Sequence, residues 1–188
     1  MGTVCCFTGY RPHRFSFSPT GLRPEHVQAA LGGQIRRLYE EGCRTFISGM
    51  STGVDLWAAA EVLALQQHHP DIRLVAAVPF TGQETHWPQP QQREYHRILA
   101  ACGQVEVLHD GAEAQADPGA CYRRRNRWMV DRADTVLAVC EYDIGDTRTG
   151  TAATVRYARQ KQRRILYIHP QTLTVTEETV EQIQLPLE

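Results

Sequence analysis

The sequence predicts an α/β fold in which helices cover both faces of a mainly parallel sheet of about six strands. Short apolar runs typical of strands alternate with longer helical segments along the 188 residues, which is the pattern of βαβ crossovers. The strand runs are continuously apolar, as parallel strands buried on both faces are. We therefore expect a single domain over residues 1–188, with a polar tail after about residue 170 that is loosely attached.

The elements are expected in strict alternation, beginning with a strand. The apolar runs predict strands at residues 4–8, 45–48, 73–78, 105–108, 135–140 and 165–168. The segments between them predict helices near residues 24–42, 53–68, 89–102, 120–133 and 150–163. Residues 14–20 and 110–119 contain the small, polar and proline residues of surface loops.

Composition narrows the classes of function. The net charge of −1 argues against a nucleic-acid binder that relies on bulk attraction, although a local basic patch is left open. No apolar run approaches the roughly 20 residues of a membrane helix, and residues 4–7 are too short for a signal peptide. We expect a cytoplasmic protein with no membrane partner. The six cysteines lack C-x-x-C spacing and the eight histidines lack metal-ligand spacing, so we expect buried thiols and no metal.

The most unusual residues directly follow predicted strands. They lie at residues 8–14, 48–53, 79–87 and 141–151, after the first, second, third and fifth strands. In an open α/β sheet, ligands bind at the carboxyl ends of the strands. The sequence therefore predicts one converging site, although loops at this edge are commonly polar for other reasons.

Two small-residue turns in these loops open helices. Residues 48–53 and residues 149–151 would expose unpaired backbone N–H groups at a helix N-terminus, which suits a phosphate. The first turn is neither a Walker A loop nor a G-x-G-x-x-G loop. Glycine there could serve only to turn the chain, but two such starts in one sheet favour an anion site.

The helix after Gly53 is apolar on almost every side, which predicts burial on more than one face and motivates a homodimer hypothesis. Two of its acids are the only candidates for a catalytic acid or base. Asp55 could belong to the site, or it could simply be an acid in the first turn of the helix, where its charge interacts favourably with the helix dipole. Glu61 lies on the apolar stripe and could contact a ligand or pair with an arginine.

The segment at residues 122–132 carries the strongest local basicity. It is either an exposed charged face or a helix whose Arg125 and Asn126 reach the ligand while its other arginines are solvated. Two aromatic side chains in the loops, Tyr10 and Trp87, could stack on a base or simply pack against the core.

These motifs resemble the YpsA-like (DUF1273) group of the SLOG superfamily. The resemblance rests on Thr8-Gly9-Tyr10-Arg11-Pro12-His13, on residues 47–61, on Val78-Pro79-Phe80 with Trp87, on Arg125-Asn126 and on Gly150-Thr151. It covers nearly the whole chain to about residue 170. It implies a Rossmann-like three-layer sandwich, a nucleotide-derived ligand, and kinship with DNA-processing protein A and the lonely-guy phosphoribohydrolases.

The chain departs from its relatives at two places. Met50 stands where the group usually has a second glycine, which could narrow the approach of a phosphate. The phosphoribohydrolase motif Pro-Gly-Gly-x-Gly-Thr-x-x-Glu is missing, and Thr154 stands where its glutamate would be. The second departure argues against the N-glycosidase activity of that group.

We therefore expect a protein that binds a nucleotide or nucleotide-derived small molecule as a sensor or regulator. Hydrolysis of a nucleotide N-glycosidic bond and binding of single-stranded DNA are the alternatives. No cofactor is required, and the expected partners are a small-molecule nucleotide and a second copy of the chain. The residues expected at the site are Gly9, Arg11, Ser48, Gly49, Met50, Ser51, Gly53, Asp55, Glu61, Trp87, Arg125, Asn126, Gly150 and Thr151.

Overall fold

The computed structural model describes residues 2–15, 21–142 and 148–181, and it confirms the predicted α/β class. A single sheet runs through the molecule in the strand order β4-β3-β2-β1-β5-β6-β7. Its strands are β1 (Thr3–Gly9), β2 (Cys43–Ser48), β3 (Arg73–Phe80), β4 (Gln104–His109), β5 (Thr135–Val139), β6 (Arg164–Ile168) and β7 (Val175–Glu178). The helices are α1 (Pro24–Glu40), α2 (Val54–Gln66), α3 (Gln89–Ala101), α4 (Gly111–Ala116), α5 (Pro118–Arg132) and α6 (Gly150–Gln160), with a 3-10 turn at Pro12–Arg14.

β1 lies in the middle of the sheet and pairs in parallel with both β2 and β5. Its central residues Cys5, Cys6 and Phe7 are almost completely buried, which explains why this strand reads as an unbroken apolar run. From β1 the chain builds outward to β4 on one side and then outward to β7 on the other. The gap between the ends of β1 and β5 is therefore the topological switch point at which ligands bind in such sheets.

The apolar character of α2 is accounted for within one chain. This helix packs on β1, β2 and β3 and also contacts α1 and α3. Its buried residues include Val54, Leu56, Ala58, Val62 and Leu63. Because neighbouring helices of the same chain cover its sides, the composition of α2 gives no evidence for a second copy.

The tail adds a seventh strand to the six that the sequence predicts. β7 pairs antiparallel with β6, and its last residue, Glu178, is buried. The carboxylate of Glu178 accepts hydrogen bonds from Nη2 of Arg159 at 3.0 Å and from the hydroxyl of Tyr167 at 2.7 Å. These contacts fix the tail as far as β7, and residues 182–188 lie outside the described residues.

The expected loop at residues 110–119 holds a further element that the sequence did not predict. Helix α4 occupies most of it and is capped by Asp110, whose carboxylate accepts from the backbone N–H of Glu113 at 2.9 Å. Of the other expected loop, at residues 14–20, residues 16–20 lie outside the described residues. No helix within the described ranges is long and apolar enough to cross a membrane.

Candidate functional site

A cavity of about 170 Å³ opens at the switch point between β1 and β5. Three strand-end loops and the middle of α5 build its wall, as expected for a site at this edge of the sheet. It is lined by Phe7, Thr8, Gly9, Tyr10, Arg11, Arg14, Ser51, Thr52, Asp55, Arg125, Asn126, Thr149, Gly150 and Thr151.

The loop between β2 and α2 is held by its own hydrogen bonds. The hydroxyl of Ser48 donates to the carbonyl of Asp55 at 2.8 Å and accepts from the N–H of Met50 at 3.1 Å. The N–H of Ser51 points to Oδ2 of Asp55 at 3.4 Å. Two amides of the expected phosphate cradle are therefore engaged inside the loop, so fewer of its N–H groups are left for a ligand.

Backbone conformations with positive φ make this loop compact. Gly53 has a φ of 87°, and a Cβ built there would lie 2.7 Å from the carbonyl oxygen of Tyr10. Met50 also has a positive φ, 56°, although it is not a glycine. Its side chain is fully buried, and its carbonyl accepts from Nε2 of Gln83 at 3.2 Å. The methionine that departs from its relatives thus packs into the core and does not line the cavity.

The guanidinium of Arg125 forms the floor of the cavity. Arg125 is 3% exposed, and it donates to the hydroxyl of Ser51 at 3.1 Å and to Oδ2 of Asp55 at 3.4 Å. A Cβ at Gly49 would lie only 1.5 Å from Nη1 of Arg125, so the guanidinium lies against the glycine backbone. Gly49 therefore contributes to the site by leaving room for a charged group of the protein itself.

Burial and charge act in opposite directions on this ion pair. Burial raises the pKa of Asp55, and the guanidinium groups of Arg125 and Arg11 oppose that rise. Burial lowers the pKa of Arg125, and the carboxylate of Asp55 opposes that fall. Nε of Arg125 is buried and has no hydrogen-bond partner among the described residues. The pair is thus desolvated at the edge of an open cavity.

The loop after β1 adds further cations. Arg11 donates to the carbonyl of Thr52 at 3.4 Å, and the guanidinium carbon of Arg14 lies 4.3 Å from the centre of the Tyr10 ring. The hydroxyl of Tyr10 donates to Glu141, and burial together with this acceptor raises the pKa of Tyr10. Tyr10 is thereby held in place as a wall of the cavity.

The start of α6 closes the cavity on the β5 side. Thr149 caps the helix by accepting from the N–H of Ala152 at 3.1 Å. The hydroxyl of Thr151 donates to the carbonyl of Gly9 at 3.0 Å, which ties α6 to the end of β1. A Cβ at Gly9 would lie 2.6 Å from Val54, so this position has no space for a side chain.

The structure brings part of the expected set together and separates the rest. The expected residues that line the cavity are Gly9, Arg11, Ser51, Asp55, Arg125, Asn126, Gly150 and Thr151. Ser48, Gly49, Met50 and Gly53 shape the loop behind the cavity wall. Thr8, Arg14, Thr52 and Thr149 also line the cavity. They are absent from the expected set, although the strand-end ranges that the sequence singles out contain all four.

Glu61 and Trp87 lie away from the cavity. The side chain of Glu61 lies between α1 and α2, where a separate cavity is lined by Gly32, Arg36 and His68 among others. Burial raises the pKa of Glu61, and the charge of Arg36 opposes the rise. Trp87 packs edge-to-face on Tyr95, with ring centres 5.5 Å apart. Neither residue is positioned to contact a ligand in this cavity.

The arrangement suits the binding of an anion. The described lining of the cavity contains three arginines, Arg11, Arg14 and Arg125, and one carboxylate, that of Asp55. Positive charge is therefore in excess. Asp55 is engaged by Arg125. The described lining thus offers no second carboxylate for a paired acid and base.

Solved structures share the fold of this chain. The chain aligns with DNA processing protein A (DprA) from Streptococcus pneumoniae with a TM-score of 0.57 and 20% identity, over 88% of this chain and 50% of that one. For DNA processing protein A from Helicobacter pylori, whose structure concerns its single-stranded DNA binding mode, the TM-score is 0.53 and the identity 17%. There the alignment covers 88% of this chain and 65% of the other. The chain therefore spans about half and about two thirds of these proteins.

Sequence relatives confirm the resemblance drawn from the motifs. A UPF0398 protein of Halalkalibacterium halodurans is 33% identical over 143 residues, covering 74% of this chain and 73% of that protein. The UPF0398 protein YpsA of Bacillus subtilis is 25% identical over 136 residues, covering 71% and 73% respectively. The family model described as the YspA SLOG family matches residues 5–173. Since this match covers most of the chain, including the whole cavity wall, the chain belongs to the YspA SLOG family.

Proposed function

We propose that the cavity binds the phosphate-bearing part of a nucleotide or nucleotide-derived small molecule, and that the chain acts as a sensor or regulator. The observation that carries this proposal is the convergence of Arg11, Arg14 and Arg125 on the switch point of the sheet. Arginine guanidinium groups match the geometry of phosphate oxygens and keep their charge at any physiological pH.

The charge balance supports an anionic ligand. Asp55 neutralises one guanidinium, that of Arg125, at 3.4 Å. Arg11 and Arg14 contact a carbonyl and an aromatic ring, and neither pairs with a carboxylate in the described part of the chain. A phosphate entering beside them would therefore find charge that no carboxylate of the described residues pairs with. The N-terminus of α6, at Gly150 and Thr151, adds a dipole of the same sign.

The size of the cavity supports a particular placement of the ligand. Its volume of about 170 Å³ is below the roughly 300–1,000 Å³ of sites that enclose a whole small molecule. A phosphate and part of a sugar would occupy the cavity, and the base would lie at its mouth. Thr8, Thr52 and Thr149 supply hydroxyl groups on the wall that could bond to sugar oxygens.

Binding is favoured over hydrolysis of the N-glycosidic bond. Asp55 is held by Arg125 and by the N–H of Ser51, so it is poorly placed to exchange protons with a substrate. Thr154, at the position of the phosphoribohydrolase glutamate, donates its hydroxyl to the carbonyl of Gly150 at 2.8 Å. That residue therefore supports α6 and carries no carboxyl group.

A thermal-unfolding screen against ribonucleoside and deoxyribonucleoside mono-, di- and triphosphates tests the proposal. A ligand present at 100 times its Kd should stabilise the fold by about 2.7 kcal/mol, which raises the Tm by roughly 5–10 °C. Arg11→Ala should remove most of that shift. Arg93→Ala, which removes an exposed arginine on α3, should keep it. If no nucleotide moves the Tm of the wild-type protein, the proposal is refuted; release of free base would establish the hydrolase instead.

Single-stranded DNA binding is a second candidate, favoured by the exposed arginines of α5. Arg123, Arg124 and Arg127 all face solvent. Two of them are partly neutralised, since Arg123 pairs with Asp117 at 3.2 Å and Arg124 with Glu113 at 3.1 Å. DNA binding through this face would weaken steeply with salt, with a slope of log K against log salt of about −0.7 for each phosphate contacted. A salt titration with oligo(dT) therefore checks it, and a slope near zero would exclude it.

A further inference from the structure

A second cavity lies beside the first, in a groove between α5 and α6. Its volume is about 210 Å³, and the residues that matter for its chemistry are Arg123, Asn126, Arg127, Gly150, Arg156 and Tyr157. The ring of Tyr157 is part of its lining. Of its described lining residues, Asn126 and Gly150 also line the first cavity, and the others lie outside the proposed mononucleotide site.

Positive charge dominates the groove. Arg123, Arg127 and Arg156 line it, and no carboxylate does so among the described residues. The nearby Asp131 is already engaged, since it accepts from the hydroxyl of Tyr157 at 2.9 Å and pairs with Lys161 at 3.4 Å.

Arg127 contacts an aromatic ring of the groove. Its guanidinium carbon lies 5.4 Å from the centre of the Tyr157 ring. It pairs with no carboxylate in the ranges that the structure describes. The tyrosine holds this guanidinium over the groove without cancelling its charge, which is a suitable arrangement for a further phosphate.

The two cavities adjoin. Asn126 and Gly150 line both of them, so these two residues form the boundary between the first cavity and the groove. Asn126 is half-buried, and its side-chain amide has no hydrogen-bond partner within the described ranges. The amide of Asn126 is positioned to form a hydrogen bond with the group that links two parts of one ligand.

We propose that the groove between α5 and α6 is a second phosphate subsite, so that the ligand of this protein carries two phosphate-linked nucleotide units. The inference rests on the proposed function, since it places the first unit in the cavity at the switch point. The second phosphate lies against Arg127 and Arg123 in the groove. Two sources share this chemistry, a free dinucleotide and the end of a single strand of nucleic acid.

Isothermal titration with paired ligands tests the subsite. The probes are AMP and the 5′-phosphorylated dinucleotide pApA, with GMP and pGpG as a second pair. The dinucleotide of the preferred base should bind about tenfold to a hundredfold more tightly than the mononucleotide, because it adds charge-assisted hydrogen bonds to arginine. Arg127→Ser should abolish this gain while changing the affinity for the mononucleotide by less than about twofold.

Arg132→Ser is the matched control, since it removes the same charge from the C-terminal end of the same helix. Arg132 stacks on Trp128, with its guanidinium carbon 4.1 Å from the ring centre, outside the groove. This variant should keep the full gain for the dinucleotide. A loss as large as that of Arg127→Ser would show a general effect of net charge and overturn the subsite.

The outcomes separate the inference from the proposed function. If mononucleotides bind and dinucleotides bind no more tightly, the groove is not a subsite but the first cavity stands. If neither class binds, both proposals fall together. A ten-nucleotide single strand that binds no more tightly than the dinucleotide identifies a free dinucleotide as the source, and a further rise in affinity with length identifies a nucleic acid.

Discussion

Replacing Gly49 by alanine should disrupt the buried ion pair of the cavity without straining the backbone. The new Cβ would lie 1.5 Å from Nη1 of Arg125, 2.4 Å from its Cζ and 2.7 Å from Oδ2 of Asp55. The guanidinium must move by roughly 2 Å to restore ordinary van der Waals contact. That movement breaks its hydrogen bonds to Ser51 and Asp55, which are 3.1 Å and 3.4 Å long.

The loss of unfolding free energy follows from the hydrogen bonds and the buried ion pair that the substitution breaks. Each hydrogen bond to a charged group contributes about 1.5–3 kcal/mol, and breaking a buried ion pair costs about 3–5 kcal/mol in total. We expect Gly49→Ala to lower the free energy of unfolding by about 3 kcal/mol. For a chain of this size that corresponds to a Tm lower by roughly 6–12 °C. Urea unfolding monitored by circular dichroism measures the change, provided that the m-value is unaltered.

Two comparisons make the result specific to Arg125. Gly33→Ala, on an exposed face of α1 where a Cβ meets no atom within 4 Å, should instead stabilise the protein by about 0.5–1 kcal/mol. In an Arg125→Met background, Gly49→Ala should cost less than about 1 kcal/mol, because the guanidinium is gone and only the contact with Oδ2 of Asp55 remains. A loss below about 0.5 kcal/mol in the wild-type background, or an equal loss in both backgrounds, would refute the reasoning.

Two further predictions concern the edge of the sheet formed by β7. Glu178→Gln removes the buried charge that Arg159 and Tyr167 share, so the free energy of unfolding should fall by about 2 kcal/mol; an unchanged urea midpoint would contradict this anchoring role of β7. Arg164→Gln should reduce the acid sensitivity of the fold. The hydrogen bond from Arg164 holds the pKa of Glu177 below its ordinary value of 4.5, so this pair stabilises the native state above that pH and the stabilisation is lost as the pH falls below it. The wild type should therefore lose up to about 1 kcal/mol more than the variant between pH 7 and pH 3.5 in urea unfolding, and parallel pH profiles would argue against the pair.

The alternation of strands and helices could be predicted from the sequence, because burial on both faces makes each central strand an apolar run. β7 escaped prediction for the opposite reason. Its sequence Val-Thr-Glu-Glu lies at an edge and is held by ion pairs, so it carries no apolar periodicity. α4 was hidden in a similar way, because six residues rich in alanine and glycine give too short a pattern to distinguish from a loop.

The location of the site was predictable, whereas its internal contacts were not. Loops after parallel strands must meet at one edge, and this places Gly9, Ser51 and Gly150 together before any contact is known. The burial of Arg125 depends on Asp55, which lies 70 residues earlier in the chain, and no local pattern reveals such a pair. The position of Glu61 was hard to predict for a related reason. Its place on the apolar stripe indicates burial, but that face of α2 turns toward α1 and away from the cavity.

The central position of β1 also sets the order in which the protein can be completed. β1 spans Thr3–Gly9, yet one of its two neighbours is β5, which begins at Thr135. On a ribosome, one side of β1 must therefore wait without its partner until more than two thirds of the 188 residues have been made. The wall of the switch-point cavity is complete only after α6 brings Thr151 to Gly9, across 142 residues of sequence. A ligand of this cavity thus recognises only a chain that has been made at least as far as α6, and it cannot assist the earlier folding steps.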